Sequence, residues 1–328
     1  MARIISYREA IREAIAEEMS ANEKVIFLGE DIGAYGGAFG VSKGLLDQFG
    51  DARVIETPIS ENSFVGIAVG AAMTGFYPIV EIMFMDFITL AMDQIVNHAA
   101  KIHYMYGGQI NVPLTVRVPS GAGKGYGASH SQSLESWFVN APGLKVIAPS
   151  NPYSAKGLLK SAINDPNPVI FVENKMLYDL KQEVPEEPYY LEIGKAEKVL
   201  AGTDISLISY GRALHLSLEA AKIAKESGIS VELIDLATLK PLDVDTILSS
   251  VKKTGKAVIV EEGYKTSGIG AEIAAIIAEE CLEYLNGKVV RIAAEDCPIP
   301  SSIALEKAVL PSVDKIVEAI RKACFSYE

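Results

Sequence analysis

The stretch RVIETPISENSFVG, residues 53–66, contains the junction that decides the fold. Val54 and Ile55 are typical of the end of a buried strand, and Pro58 interrupts regular structure before small and apolar residues resume in VGIAVGAAMTG. A strand followed by a helical segment is the unit from which parallel sheets are built. Glu61 lies at the mouth of this junction, and its placement there has to be explained.

The same alternation of strands and helical patterns continues on both sides of this stretch. Apolar runs that are typical of buried parallel strands include KVIFLGED (24–31), PIVEIMF (78–84), PLTVRVPS (113–120) and PVIFVEN (168–174). Residues 181–198 carry two prolines and many charges without a sustained period, which indicates a linker. We therefore predict an α/β protein of two domains, with a parallel-sheet domain over 1–180 and a smaller α/β domain over 199–328.

Composition excludes several classes of protein. The 328 residues carry a net charge of −12, which disfavours nucleic acid as a partner. No run approaches 18 uninterrupted apolar residues, so we expect no membrane span. The three cysteines, Cys281, Cys297 and Cys324, are scattered and form no CxxC pair. This usage predicts a reducing, cytoplasmic location and argues against disulfides or a zinc site.

Glu61 has two interpretations on position alone. Ligands of open parallel sheets bind beyond the carboxyl ends of the strands, which is where this acid lies. An acid in the first turn of a helix is also favoured by the helix dipole without any ligand. Phe87 poses a similar choice, because a ring beyond a strand's end can stack on a planar ligand or pack in the core.

A second unusual stretch is VPSGAGKGYGASHSQS, residues 118–133, in which four alternate glycines precede His130. The alternation predicts an unusually shaped loop rather than a strand. It is not a P-loop, because Lys124 is followed by Gly125 and Val118 occupies the position of the first glycine. His130 has polar neighbours suited to a proton-exchanging ring, although a solvated loop histidine would look the same.

Taken in order, several long motifs resemble one family: GEDIGAYGGAFGVSKGL, TPISENSFVGIAVGAAMTG, HSQSLESWFVNAPGLKVIAPSNP, ELIDLATLKPLD and EDCPIPSS. They are similar to the beta subunits of the thiamine diphosphate-dependent first component of 2-oxo acid dehydrogenase complexes, and most similar to those acting on pyruvate. The resemblance implies a pyrimidine-binding domain, a transketolase-like C-terminal domain and oxidative decarboxylation with transfer of the acetyl group to lipoyl. An acetoin or branched-chain 2-oxo acid substrate, or a chiefly assembly role, stays open.

The resemblance also implies partners and cofactors. In the family, thiamine diphosphate is shared with an alpha subunit whose GDG motif holds Mg²⁺ and the diphosphate. This sequence has no GDG, since its only Gly-Asp pair, Gly50–Asp51, continues with Ala52. We therefore expect a heterotetramer of two alpha and two beta subunits, which delivers its product to a lipoyl acyltransferase.

Residue roles follow from matching positions in the family. Glu61 matches the glutamate that hydrogen-bonds the aminopyrimidine ring nitrogen, and Phe87 matches the aromatic side chain that packs on this ring. Ile59 and Met83 match neighbouring cofactor-lining positions, and His130 matches the histidine implicated in proton delivery. A structural potassium site is matched by Leu114, Ala162, Ile163, Asp165 and Asn167. Carbonyl and carboxylate oxygens suit such a hard cation, although an ordinary Asp/Asn/Pro turn explains the same residues.

Overall fold

The computed structural model of the chain describes residues 2–325 and divides them into two compact units. The first unit contains the chain up to Ser120 together with Trp137–Ile193. The second contains Gly121–Ser136 and the chain from Gly194 onward. The α/β class and the parallel sheets predicted from the sequence are confirmed.

The strands of the first unit are β1 (Ala2–Ser6), β2 (Val25–Gly29), β3 (Val54–Glu56), β4 (Tyr77–Glu81), β5 (Thr115–Ser120), β6 (Lys145–Ile147), β7 (Val169–Asn174) and β8 (Lys181–Pro185). Six of them lie in the order β6-β7-β5-β4-β2-β3, and every pairing among these six is parallel. All five residues of β2 are buried, as both faces of a parallel sheet must be covered by helices. The carboxyl ends of β4, β2 and β3 therefore lie side by side at one edge of the sheet.

Helices α1 (Tyr7–Ala21), α2 (Leu45–Phe49), α3 (Glu61–Met73), α4 (Ala100–Met105) and α6 (Pro152–Ile163) belong to this unit, and α5 (Glu135–Val139) begins just before its second segment. Ser6 and Glu9 form a capping box at the start of α1. The run LAMDQIVNHAAKIHYMY, residues 90–106, has the pattern of one regular helix, but only Ala100–Met105 is α-helical. A 3-10 segment (Met85–Ala91) and a π-helical turn (Asp93–Ala99) precede it.

The predicted linker contains regular structure at its start. Strand β8 pairs antiparallel with β1, from Ala2 opposite Pro185 to Ser6 opposite Lys181. The charges of residues 181–187 do not prevent this, because a two-stranded ribbon at the surface leaves its polar side chains in water.

The second unit contains β9 (Glu197–Leu200), β10 (Ile205–Ser209), β11 (Val231–Asp235), β12 (Thr238–Lys240), β13 (Ala257–Tyr264) and β14 (Val289–Ala294). Its helices are α7 (Gly211–Glu226), α8 (Val244–Thr254), α9 (Ile269–Glu280), α10 (Ile303–Val309) and α11 (Val313–Phe325). Five strands form a sheet in the order β14-β13-β10-β11-β9, with only β9 antiparallel to its neighbour. Within residues 2–325, no helix is long and apolar enough to cross a bilayer.

Candidate active site

Glu61 is the first residue of α3 and lies just beyond the carboxyl end of β3. Its neighbour Ser60 is the N-cap but makes no capping hydrogen bond through its side chain. Glu61 is therefore in the first helical turn, where an acid would be favoured by the helix dipole even without a ligand. Its exposure is only 5%, however, and a surface acid that merely complements a helix dipole would remain in water.

A second carboxyl group, which the sequence analysis did not single out, lies beside Glu61. Glu30 follows β2, the strand between β3 and β4, and is also only 5% exposed. Burial, followed by the negative charges of Glu61 and Asp31, raises the pKa of the Glu30 carboxyl to about 7. In the sequence, only the position of Glu30 at the end of the apolar run KVIFLGED indicates that it could belong to the site. A carboxyl with a pKa near 7 at this sheet edge can hold a proton near neutral pH.

Apolar side chains accompany these acids. Phe87 lies in the 3-10 segment after β4, and its ring packs edge-to-face on Phe84 with centroids 5.8 Å apart. This segment packs against α3, which Glu61 begins. Met83 is partly buried, whereas Ile59 is 81% exposed. An exposed isoleucine and partly buried rings beside buried acids are suited to a flat ligand with one polar edge.

Unsatisfied polar atoms support the fit of a heterocyclic cofactor at this edge. Within residues 2–325, Oε1 of Glu30 and Oγ1 of Thr57 are buried without a hydrogen-bond partner. Thr57 donates its backbone N–H to the carbonyl of Gly29 at 2.9 Å, so it lies next to the end of β2. Buried polar groups normally have partners, and an aminopyrimidine ring carries the donors and acceptors that such groups need.

An ion-pair network reinforces the sheet at the same strands. The guanidinium of Arg117 donates to Glu81 at 2.6 Å and to both oxygens of Glu173 at 2.7 and 2.8 Å. Tyr178 donates its hydroxyl to Glu173 at 2.7 Å. Burial raises the pKa of Glu173 despite the opposing effect of Arg117. Glu81 is the last residue of β4, so the network holds the strand end that leads into the 3-10 segment with Phe87.

His130 belongs to Gly121–Ser136, which groups with the second unit rather than the first. Its Nδ1 lies 3.0 Å from Oγ of Ser129, and the side chain is partly buried. The domain boundaries predicted from the sequence place His130 in the first domain, over 1–180. A cavity of about 400 Å³ opens beside it, lined by Ala128, Gln132, Tyr264, Asp296, Cys297 and Pro298.

The residues matched to a potassium site lie around the turn between α6 and β7. Ala162 and Ile163 end α6, and Leu114 accepts the backbone N–H of Val169 through its carbonyl at 2.8 Å. Asp165 forms an ion pair with Lys145 and accepts the backbone N–H of Asn167 at 2.9 Å. Sequence thus identifies residues that are close in space. The carboxylate of Asp165 already has two partners, which leaves the carbonyl oxygens as the principal donors for a cation.

Comparisons with known proteins agree with this architecture. The transketolase pyrimidine-binding domain model matches residues 3–181, and the transketolase C-terminal domain model matches residues 194–316. A split-gene transketolase, described as an inactive beta4 tetramer, superimposes with a TM-score of 0.77 over 98% of both chains. At 24% identity, that likeness shows the fold alone.

Curated relatives are nearer in sequence. The chain is 48% identical over 322 residues to the pyruvate dehydrogenase E1 component subunit beta of Rhizobium meliloti (strain 1021), covering 98% of this chain and 70% of that protein. It is 46% identical over 321 residues to the subunit of the same name from Rickettsia bellii (strain RML369-C), covering 98% and 99%. The chain therefore belongs to the family of pyruvate dehydrogenase E1 beta subunits, built from the transketolase pyrimidine-binding and C-terminal domains.

Proposed function

We propose that this chain is the beta subunit of a thiamine diphosphate-dependent pyruvate dehydrogenase and supplies the proton-handling half of its active site. The observation that carries the proposal is the buried Glu61 at the sheet edge, whose charge acts on Glu30 and whose helix packs against the segment that contains Phe87. The names of the relatives support pyruvate as the substrate. The three cysteines are free thiols, which fits a cytoplasmic location.

Each residue has a role that follows from its chemistry. Glu61 would hydrogen-bond a ring nitrogen of the aminopyrimidine, and its burial would exclude competing water from that bond. Phe87 and Met83 would pack on the ring, and the exposed Ile59 would add a further apolar contact. Thiamine diphosphate, when bound, supplies the electron sink that decarboxylation of a 2-oxo acid requires. His130 delivers a proton during transfer of the acetyl group to the lipoyl arm.

The chain needs an alpha subunit to complete this site. This sequence has no Gly-Asp-Gly motif, because its only Gly-Asp pair is followed by Ala52. An alpha subunit that carries the motif would therefore hold Mg²⁺ and the diphosphate. Large apolar side chains stand exposed in the first unit, among them Ile59, Ile67 and Tyr104, as in chains that bury such surface in an assembly. We propose an assembly of two alpha and two beta subunits that passes acetyl groups to a lipoyl acyltransferase.

A potassium ion completes the proposal. Carbonyl oxygens of Leu114, Ala162, Ile163 and Asn167, with Asp165, would bind it where α6 leads into β7. Oxygen donors of this type favour a hard cation. Its role would be structural, because it would join the end of α6 to the start of β5. Replacement of potassium by sodium in a thermal melt of the assembled enzyme should lower the melting temperature, and equal melting temperatures would refute the site.

The test of the function is reconstitution with the alpha subunit. Cofactor binding and turnover are measured for the chain alone, for the alpha subunit alone and for the mixture, with pyruvate, acetoin and a branched-chain 2-oxo acid as substrates. We expect turnover only in the mixture, with the highest kcat/KM for pyruvate. Preference for another substrate would reassign the substrate class. Turnover by the alpha subunit alone would instead make this chain an assembly module.

A further inference from the structure

The four glycines before His130 adopt a conformation that explains their alternation. Gly121, Gly123, Gly125 and Gly127 have φ angles of 90°, 109°, 70° and 78°, in the region that other residues rarely adopt. Left-handed residues that alternate with ordinary ones turn successive backbone N–H groups toward a common side. Such a concave array of donors binds anions.

The anions bound by this loop are two carboxylates of the same unit. Glu306, in the first turn of α10, accepts the N–H of Gly123 at 2.8 Å and that of Gly125 at 3.2 and 3.3 Å. Glu262, on β13, accepts the N–H of Ala122 at 2.6 Å. The loop therefore does bind negative charge, as a phosphate-binding loop does. The charge comes from two glutamates that follow the loop by 140 and 183 positions in the sequence.

Other contacts hold the loop in the same place. Arg212 lies 3.7 Å from Glu262 and donates to the carbonyl of Ala122 at 3.3 Å, so it bridges the carboxylate and the loop. A Cβ atom at Gly125 would lie 2.8 Å from Cδ1 of Ile303 and 3.0 Å from the carbonyl of Ser301. The loop is therefore packed directly on the segment that begins α10, without room for a side chain.

The held loop leads directly to His130. The N–H of His130 donates to the carbonyl of Gly127 at 3.3 Å, and the N–H of Gly121 donates to the carbonyl of Gln132 at 3.2 Å. These two bonds close the loop on itself around the histidine. The position of the imidazole therefore depends on the glycine backbone, whose anchors are Glu262 and Glu306.

We propose that Glu306 and Glu262 are positioning residues, whose carboxylates hold the glycine loop so that His130 is presented for proton transfer. The inference rests on the proposed role of His130. Glu306 is 1% exposed and accepts two backbone N–H groups, so its removal leaves these donors without their anion. Three charge-assisted bonds to a glycine-rich segment restrict the part of the chain that would otherwise be the most mobile.

The first measurement does not depend on activity. Lys124 is exposed within the loop and provides a trypsin site. Glu306→Ala should speed tryptic cleavage of the chain after Lys124 by at least about tenfold, because the loss of one charge-assisted hydrogen bond is worth about that factor in an equilibrium constant. Glu306→Gln, which keeps one acceptor oxygen, should give an intermediate rate and guards against misfolding of the alanine variant. Glu232→Gln is the matched control, because Glu232 is equally buried in the same unit but pairs with Lys253.

The second measurement uses the reconstituted enzyme. Glu306→Ala should lower kcat for acetyl transfer to lipoyl by at least about tenfold while KM for pyruvate stays within about twofold. Glu306→Gln should restore part of this rate. The double variant that carries both His130→Ala and Glu306→Ala should transfer acetyl groups no more slowly than His130→Ala alone. The inference would be overturned if trypsin cleaved Glu306→Ala at the wild-type rate. It would also be overturned if Glu306→Ala kept full transfer activity while His130→Ala lost it. Full transfer activity in His130→Ala would instead overturn the role of His130, and the trypsin result would still decide whether the carboxylates hold the loop.

Discussion

Replacement of Glu30 by glutamine tests the coupled carboxyl pair through protein stability. The variant keeps the size and shape of a protonated Glu30 but cannot ionise. In the wild-type chain, burial and the charge of Glu61 raise the pKa of Glu30 from 4.5 to about 7. A carboxyl with a raised pKa stabilises the fold most below its unfolded pKa, and this contribution is lost as pH rises through the folded pKa.

The magnitude follows from these two values. One pKa unit corresponds to about 1.4 kcal/mol, so the raised pKa of Glu30 costs about 1 kcal/mol of folding free energy at pH 5, where the carboxyl takes up a proton on folding, and about 3 kcal/mol at pH 8. For a unit of this size, about 3 °C of melting temperature corresponds to 1 kcal/mol. Glu30→Gln should therefore raise the melting temperature by roughly 9 °C at pH 8 and by roughly 3 °C at pH 5.

The assay is a thermal melt of the chain at both pH values. Glu23→Gln is the control, because Glu23 is exposed and its replacement makes the same change in net charge at pH 8. We expect this control to move the melting temperature by no more than about 1 °C at either pH. An equal shift for Glu30→Gln at pH 5 and pH 8, or a lower melting temperature at pH 8, would refute the argument.

Two further predictions concern the surroundings of the pair. Arg117→Met should lower the free energy of unfolding at pH 8 by about 3–5 kcal/mol in denaturant titrations, because it leaves Glu81 and Glu173 buried without their cation. A loss below about 1 kcal/mol would contradict the importance of this network. Phe87→Ala should weaken thiamine diphosphate binding to the reconstituted enzyme by about tenfold in calorimetric titrations, through lost ring packing. Unchanged affinity would place the ring away from the cofactor.

The sequence predicts the parts of this structure that depend on local pattern. Continuous apolar runs identify buried parallel strands, because both faces of such a sheet are covered, and β2 is buried throughout. The end of such a run also predicts a ligand edge, and Glu61, which follows β3 there, is buried. The alternate glycines likewise predict an unusual loop, and all four have positive φ.

Partnerships between distant residues could not be predicted from local pattern. Arg117 reads as an ordinary charge within an apolar strand, yet its partners lie 36 and 56 residues away. Glu306 and Glu262 reach the glycine loop from the far end of the chain, so nothing near His130 indicates that its loop belongs with the second unit. Strand β8 was missed because two-stranded surface ribbons do not require an apolar sequence.

The most direct test of the central claim is Glu61→Gln in the enzyme reconstituted with its alpha subunit. The change removes the acid and preserves its shape, so gel filtration should show an unaltered assembly. We predict that kcat with pyruvate falls by about 10²–10⁴-fold, the usual contribution of a positioned acid–base group, while Glu23→Gln retains wild-type turnover. Near-normal turnover by the assembled Glu61→Gln enzyme would contradict the claim that this chain supplies the proton-handling half of the active site.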